Sequence, residues 1–188
     1  IIVPPQNLSI EFSNSNFDRL ILTGGGNINP SIYGAEVDTK TTRISDERDK
    51  TELNLLKIAE TNFIKTLAIC RGHQLLNVYK GGTLHQHIAD NFDTEIEHFQ
   101  INEATSQHIH NINILEQTVL SEVTADKNVG VNSIHHQVIN DLGQDLKVNA
   151  MSEDNLIEGI EQSIAKKITA DVKSSKIKVQ IKINGNEL

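Results

Sequence analysis

The residues of this chain that could do covalent chemistry gather around its one cysteine, Cys70. It stands in the run Thr66-Leu67-Ala68-Ile69-Cys70-Arg71-Gly72-His73-Gln74. Thr66 to Ile69 reads as a short buried strand, and Gln74 to Tyr79 as a helix with apolar residues at helical spacing. A thiol on a tight strand-to-helix turn is exposed and held in one orientation. It also lies at the positive end of a helix dipole, which favours the reactive thiolate. The commoner fate of a lone cysteine is burial as a small hydrophobe. The polar flank Arg71-Gly72-His73-Gln74 is a poor end for a core strand, and it favours a nucleophile.

A nucleophile of this kind needs an anion-binding loop and a proton acceptor. Gly24-Gly25-Gly26 directly follows the strand-like Arg19 to Thr23. Glycines there let backbone N–H groups approach a ligand, as phosphate cradles and oxyanion holes both require. The spacing fits neither a dinucleotide fingerprint nor a P-loop, so with Cys70 elsewhere an oxyanion hole is the better reading. The second polar cluster, Asn132-Ser133-Ile134-His135-His136-Gln137, also follows a strand-like run. His135 and His136 could line a pocket or act on Cys70 as general acid/base. The eight histidines show no zinc-ligand spacing, so no metal or cofactor is expected. His85, His87, His98, His108 and His110 read as surface or supporting residues.

The elements that must position these residues alternate. Strands are expected at Ile1–Val3, Arg19–Thr23, Thr66–Ile69, Ile109–Ile114, Val129–Asn132, Leu146–Ala150 and Leu156–Ile160. The clearest helix runs from Arg48 to Asn62, with Leu53, Leu55, Leu56, Ile58 and Ala59 on one face and Asp46 or Asp49 as its cap. Strand, helix, strand, helix in the first half predicts parallel crossovers and an open α/β sheet. The later strands predict an antiparallel or mixed extension. A sheet short of a strand on one side is expected to expose an edge and part of one face.

At 188 residues with a net charge of −8, the chain suits one domain and disfavours nucleic acid or an anionic membrane as partner. A single cysteine excludes an internal disulfide and fits a reducing cytoplasm. No apolar run approaches the roughly 18 residues of a spanning helix. Charge is unevenly placed: residues 162–188 carry +4 and the preceding 161 carry −12. Within the basic segment, Ser163–Val172 is a helix candidate, and 176–183 alternates lysine with apolar residues as an edge strand would.

Taken together, the blocks resemble class I glutamine amidotransferase domains, in the branch of gamma-glutamyl hydrolases that includes gamma-glutamyl-gamma-aminobutyrate hydrolases. They are Leu22 to Gly26 with Asn29-Pro30 and Tyr33-Gly34, Arg48-Asp49 with Glu52, Ile69 to Asn77 with Gly81 to Leu84, Val131 to Gln137, and Ser152 to Glu161. They run in family order. The resemblance implies a three-layer, open, mostly parallel α/β sheet of flavodoxin-like kind. Residues 1–161 would form the amidotransferase-like domain without its first strand and helix, and 162–188 a divergent basic tail. It further implies Cys70 as the nucleophile toward a gamma-glutamyl amide. The N–H groups of Arg71 and of Gly25 or Gly26 would hold the oxyanion. Gln74, His135, His136 and Gln137 would line the pocket for the glutamyl group of glutamine or a related small molecule.

The pattern departs from the family in two places. Asn27 stands where an aspartate is usual. The family's base, a histidine oriented by glutamate in a Trp-His-Pro-Glu-like segment, has no counterpart, since no His follows His136 and no Pro follows Pro30. Three expectations follow: a truncated relative with impaired hydrolysis, a hydrolase with His135 or His136 as a rewired base, or a glutamyl-binding module.

Overall fold

The computed structural model describes residues 17–100, 107–163, 182–183 and 186–187. Its first half is a βαβα unit. β1 (Arg19–Leu22) pairs in parallel with β2 (Lys65–Ala68), Leu20 opposite Thr66 and Leu22 opposite Ala68. The crossover between them is α1 (Asp46–Thr61), and β2 leads into α2 (Arg71–Tyr79). This is the alternation expected from the apolar pattern.

The helix α1 starts two residues before the expected position, and its cap is neither Asp46 nor Asp49. Ser45 is the N-cap, with extended backbone (φ −137°, ψ 100°) and a side chain that accepts from the Arg48 N–H. A cap residue must lie outside the helical backbone region, and both aspartates are already inside it. They serve instead to hold the preceding loop. Asp46 accepts from the Asn29 side chain at 2.7 Å, and Asp49 accepts from the Asn29 N–H at 3.0 Å. α2 begins three residues earlier than its apolar spacing indicates, because its first turn carries polar residues that face inward.

Leu55, Leu56 and Ala59 of α1 and Leu75 and Val78 of α2 pack on Leu20 and Leu22, with Ile28, Leu84 and Ile139 closing the cluster. On the opposite face of the β1–β2 pair, Ile21, Leu67 and Ile69 are exposed.

The second half is antiparallel. β4 (His110–Ile114), β5 (Asn128–Val131), β7 (Leu146–Ser152) and β8 (Ile157–Gln162) form a sheet in the order β5-β4-β7-β8. Each overlaps an expected strand to within two residues. β3 (Leu84–His85) and β6 (Val138–Ile139) pair antiparallel and tie the second half to the end of α2. These two-residue strands and the short helices α3 (Ile88–Asn91) and α4 (Val119–Val123) were not legible, being too short for any periodicity. The expected strand at Ile1–Val3 lies outside the described residues, as does nearly all of the expected helix at 163–172. Of the alternating run 176–183, β9 (Lys182–Ile183) is described, and it pairs with β10 (Asn186–Glu187). No helix among the described residues is long and apolar enough to cross a membrane.

The two helices are joined by a buried ionic cluster. Arg71, 2% exposed, donates to both Glu52 and Asp49 of α1. Arg48 donates to Glu52 at 2.7 Å from the other side. Removing one member of such a cluster leaves opposite charge buried and unpaired, which costs about 3–5 kcal/mol. Arg71→Met is therefore expected to lose about 3–5 kcal/mol in denaturant unfolding. A loss below about 1 kcal/mol would show that the two carboxylates do not need the guanidinium.

Candidate active site

Cys70 sits where β2 ends and α2 begins, at φ 50° and ψ −106°. Positive φ in a residue other than glycine costs on the order of 1–3 kcal/mol, and it persists only where the surroundings impose it. Here they do. Ile69 N–H extends the β1–β2 pairing to Leu22 O at 2.9 Å, Gly72 N–H turns back to Ile69 O at 2.9 Å, and Gln74 N–H bonds to Cys70 O at 3.1 Å. Gly72 permits the close approach of helix to strand, since a Cβ there would lie 2.6 Å from Leu22 Cβ. The thiol is exposed and makes no capping bond to α2. As the first helical residue, Arg71 has an N–H with no intrahelical acceptor.

The parallel register brings the glycine loop beside the thiol. A Cβ on Gly24 would be 3.8 Å from Cys70 Sγ. The loop is held from behind by Arg48, whose guanidinium donates to Thr23 O at 3.1 Å and Gly24 O at 3.0 Å. In a trans peptide the N–H points opposite to the C=O. With both carbonyls turned to Arg48, the Gly24 and Gly25 N–H groups are left on the other side of the loop. The space at Gly25 belongs to Arg48 as well, since a Cβ there would lie 2.1 Å from the guanidinium. At Gly26 a Cβ would meet Arg43 O at 2.3 Å.

A cavity of about 610 Å³ opens beside Cys70, walled by His73, Gln74, His135, Gln137 and Glu158 among others. Gln74 donates to Gln137 O at 3.0 Å, and Gln137 donates to Gln86 O at 3.2 Å, so both amides are fixed. His135 places Nδ1 3.0 Å from the same Gln137 carbonyl and Nε2 3.3 Å from Glu158 Oε2. Four of the residues expected at the pocket thus come together: Cys70, Gln74, His135 and Gln137. His136 is not in this wall; it turns to Asn27, with Nε2 3.1 Å from Oδ1, and burial lowers its pKa. Arg71 sends its side chain away into the ionic cluster, so only its backbone faces the elbow.

His73 and Glu158 are cavity residues to which the motifs assign no role. His73 lies on the first turn of α2, and burial lowers its pKa to about 4. Burial pushes the Glu158 carboxyl upward, but the imidazoles of His135 and His98 beside it outweigh that and hold it well below the usual range. His98 belongs to the same group. Burial draws it down, and the neighbouring Glu158 and Asp154 carboxylates raise it above its ordinary value. Of the histidines expected as surface or supporting residues, His98 and His110 are buried, 4% and 6% exposed. His110 is an inward position of β4, and His98 is drawn in by Asp154, 3.0 Å from Nε2. Local sequence around either shows nothing of this. Among the described residues, no imidazole hydrogen-bonds Cys70.

The low value at His73 has a pH consequence of definite sign. Between about pH 6.5 and 4 the unfolded chain binds a proton at this imidazole and the native chain does not, so stability falls as pH falls. The share of His73 amounts to about 3 kcal/mol over that window. His73→Gln is expected to show a smaller loss than the parent when unfolding is compared at about pH 7 and about pH 4. Equal losses in the two proteins would mean that His73 titrates normally.

The chain is similar to several known proteins. The glutamine amidotransferase-like protein YvdE of Lactococcus lactis is 40% identical over 146 residues, covering 77% of this chain and 60% of that protein. Protein NtpR of Enterococcus hirae is 38% identical over 144 residues, with 77% and 60% covered. The gamma-glutamyl-gamma-aminobutyrate hydrolase PuuD of Escherichia coli is 30% identical over 149 residues, with 76% and 58% covered. The chain thus spans about 60% of the length of these relatives. Among solved structures, a Thermotoga maritima glutamine amidotransferase superposes with a TM-score of 0.52 at 13% identity, over 93% of this chain and 72% of that one. The α/β fold is that of the class I glutamine amidotransferases. A match to the Peptidase C26 family extends over residues 1–173, and the chain belongs to that family.

Proposed function

We propose that this chain is a cysteine-dependent hydrolase of gamma-glutamyl amides, slow in turnover, with Cys70 as its nucleophile. The observation that carries the reading is the strained, exposed elbow at Cys70, set between the glycine loop and the mouth of a polar cavity. Similarity to a gamma-glutamyl-gamma-aminobutyrate hydrolase supports the substrate class. The Cys70 thiolate attacks the carbonyl carbon of the side-chain amide, and the oxygen takes up the negative charge. The N–H of Arg71 and that of Gly25 or Gly26 receive that oxyanion. The proton that the thiol gives up passes to water; collapse breaks the C–N bond, and the amine leaves with a proton taken from water. Water then hydrolyses the thioester, releasing glutamate and the free thiol. Gln74, His135 and Gln137 orient the glutamyl group, and His136 acts from behind through Asn27.

Slow turnover follows from the absence of an imidazole on Cys70 Sγ among the described residues. Loss of one triad member leaves a residual rate on the order of 10³–10⁴-fold over water, supplied by the oxyanion hole and binding. That absence also supports a second reading, a glutamyl-binding module that holds glutamine and releases no ammonia.

A glutamine-analogue electrophile, followed by mass spectrometry, tests the proposal. The expected result is one adduct per chain on Cys70, suppressed by excess glutamine, with slow ammonia release that Cys70→Ser abolishes. Labelling indifferent to glutamine would overturn the substrate class. Binding of glutamine by calorimetry with no adduct and no ammonia would establish the binding module instead.

A further inference from the structure

Behind the cavity wall, β4, β8 and the loop carrying His98 converge on a cluster that the hydrolase reading does not use. His98, His110 and Glu158 each bring one ligand atom to within 4.8 Å of the others. Both imidazoles have their second nitrogen engaged on the outer side. His98 Nε2 is 3.0 Å from Asp154 Oδ2, and that carboxylate is itself held by Thr94 at 2.7 Å and by Ser152. His110 Nδ1 is 3.3 Å from Asn111 O. A carboxylate or a carbonyl can only accept, so these outer nitrogens carry the N–H. In the neutral rings the inner nitrogens then present lone pairs.

The inner atoms lack hydrogen bonds. His98 Nδ1, His110 Nε2 and Glu158 Oε1 are buried with no hydrogen-bond partner among the described residues. His98 Nδ1 and Glu158 Oε1 face each other at 3.2 Å, off the line of a hydrogen bond. Two imidazole nitrogens and a carboxylate oxygen need a cation between them, which is either a proton held between His98 Nδ1 and Glu158 Oε1 or a metal ion that meets all three atoms. The outward bonds to Asp154 and to a main-chain carbonyl are the supporting contacts that fix ring orientation in metal-binding histidines.

We propose that His98 Nδ1, His110 Nε2 and the Glu158 carboxylate form a site for one divalent transition-metal ion, with zinc as the best match. Two imidazoles and one carboxylate suit zinc, with the fourth position open to water or another donor. His135 is placed to approach that position, since its Nε2 is 3.3 Å from Glu158 Oε2 and its Nδ1 is engaged with Gln137 O. Metal–ligand bonds of about 2.0–2.1 Å set tetrahedral ligands about 3.3 Å apart, so the cluster closes by side-chain shifts on the order of 1 Å. Glu158 lines the cavity, which supplies the way in. The site stands independently of Cys70 chemistry and is read by metal binding alone.

The test is titration of the chelator-stripped chain with Zn²⁺ against a chromogenic chelator, repeated with Co²⁺ by absorption. The expected result is one equivalent per chain and a cobalt spectrum of a four-coordinate site without a sulfur-to-metal charge-transfer band. His110→Ala and Glu158→Gln are each expected to weaken binding by at least about tenfold, while Cys70→Ser leaves it unchanged. Failure of the parent chain to take up one equivalent would overturn the proposal and leave the cluster as a proton-bridged imidazole–carboxylate group. An equivalent lost in Cys70→Ser but kept in Glu158→Gln would overturn it equally, by assigning the metal to the thiol. Should His110→Ala fail to fold, the intact chain still decides the matter. One bound Zn²⁺ must raise its unfolding temperature, and a chelator must reverse that rise.

Discussion

The constraint on which the site depends is the buried guanidinium of Arg71, held between Asp49 and Glu52. It ties the first turn of α2 to the first turns of α1. Both helices must start where they do for the charges to meet, and the start of α2 is the elbow itself. Asp49 reaches on to the Asn29 N–H, and Arg48, paired with Glu52, grips the carbonyls of the glycine loop. One ionic cluster therefore positions the thiol, the loop beside it and the segment beyond. Burial of these charges is costly, and the return is geometric: a strained Cys70 backbone is kept from relaxing.

On the other side of the elbow the cavity is closed by the antiparallel half of the chain. Its wall is polar and cross-bonded. The Gln137 carbonyl receives Gln74, which stands on α2, and lies beside His135 of its own loop, so the two halves of the fold meet at one oxygen. Glu158 stands at the rear with His135 and His98 around its carboxylate. The imidazoles reach Glu158 and not Cys70, which separates the charged machinery of the cavity from the nucleophile.

Much of this was legible from residues near one another in the chain. Cys70 with Gly72 announces a strand-to-helix turn, and three glycines after an apolar run announce an exposed loop. The apolar stripe of α1 locates the crossover. The failures share a cause. The sequence does not single out Ser45 as cap, because Asp46 and Asp49 are equally good cap types, and only their hydrogen bonds to Asn29 show that they face the other way. His98 and His110 lie twelve residues apart without ligand spacing, and Glu158 is a further forty-eight on. Strand pairing of β4, β7 and β8 brings His110 toward Glu158, and Asp154 draws His98 in beside them.

Local rules of backbone and burial, acting over a few neighbours, were enough to determine the element types, the elbow and the family blocks. What tertiary structure alone decided was which polar groups meet: Arg71 with two α1 carboxylates, Arg48 with the loop carbonyls, and three histidines with Glu158. The physical reason is that apolar periodicity encodes which face of an element is buried. It does not encode the partner across the interface, and for charged and ligand-bearing side chains the partner determines the chemistry.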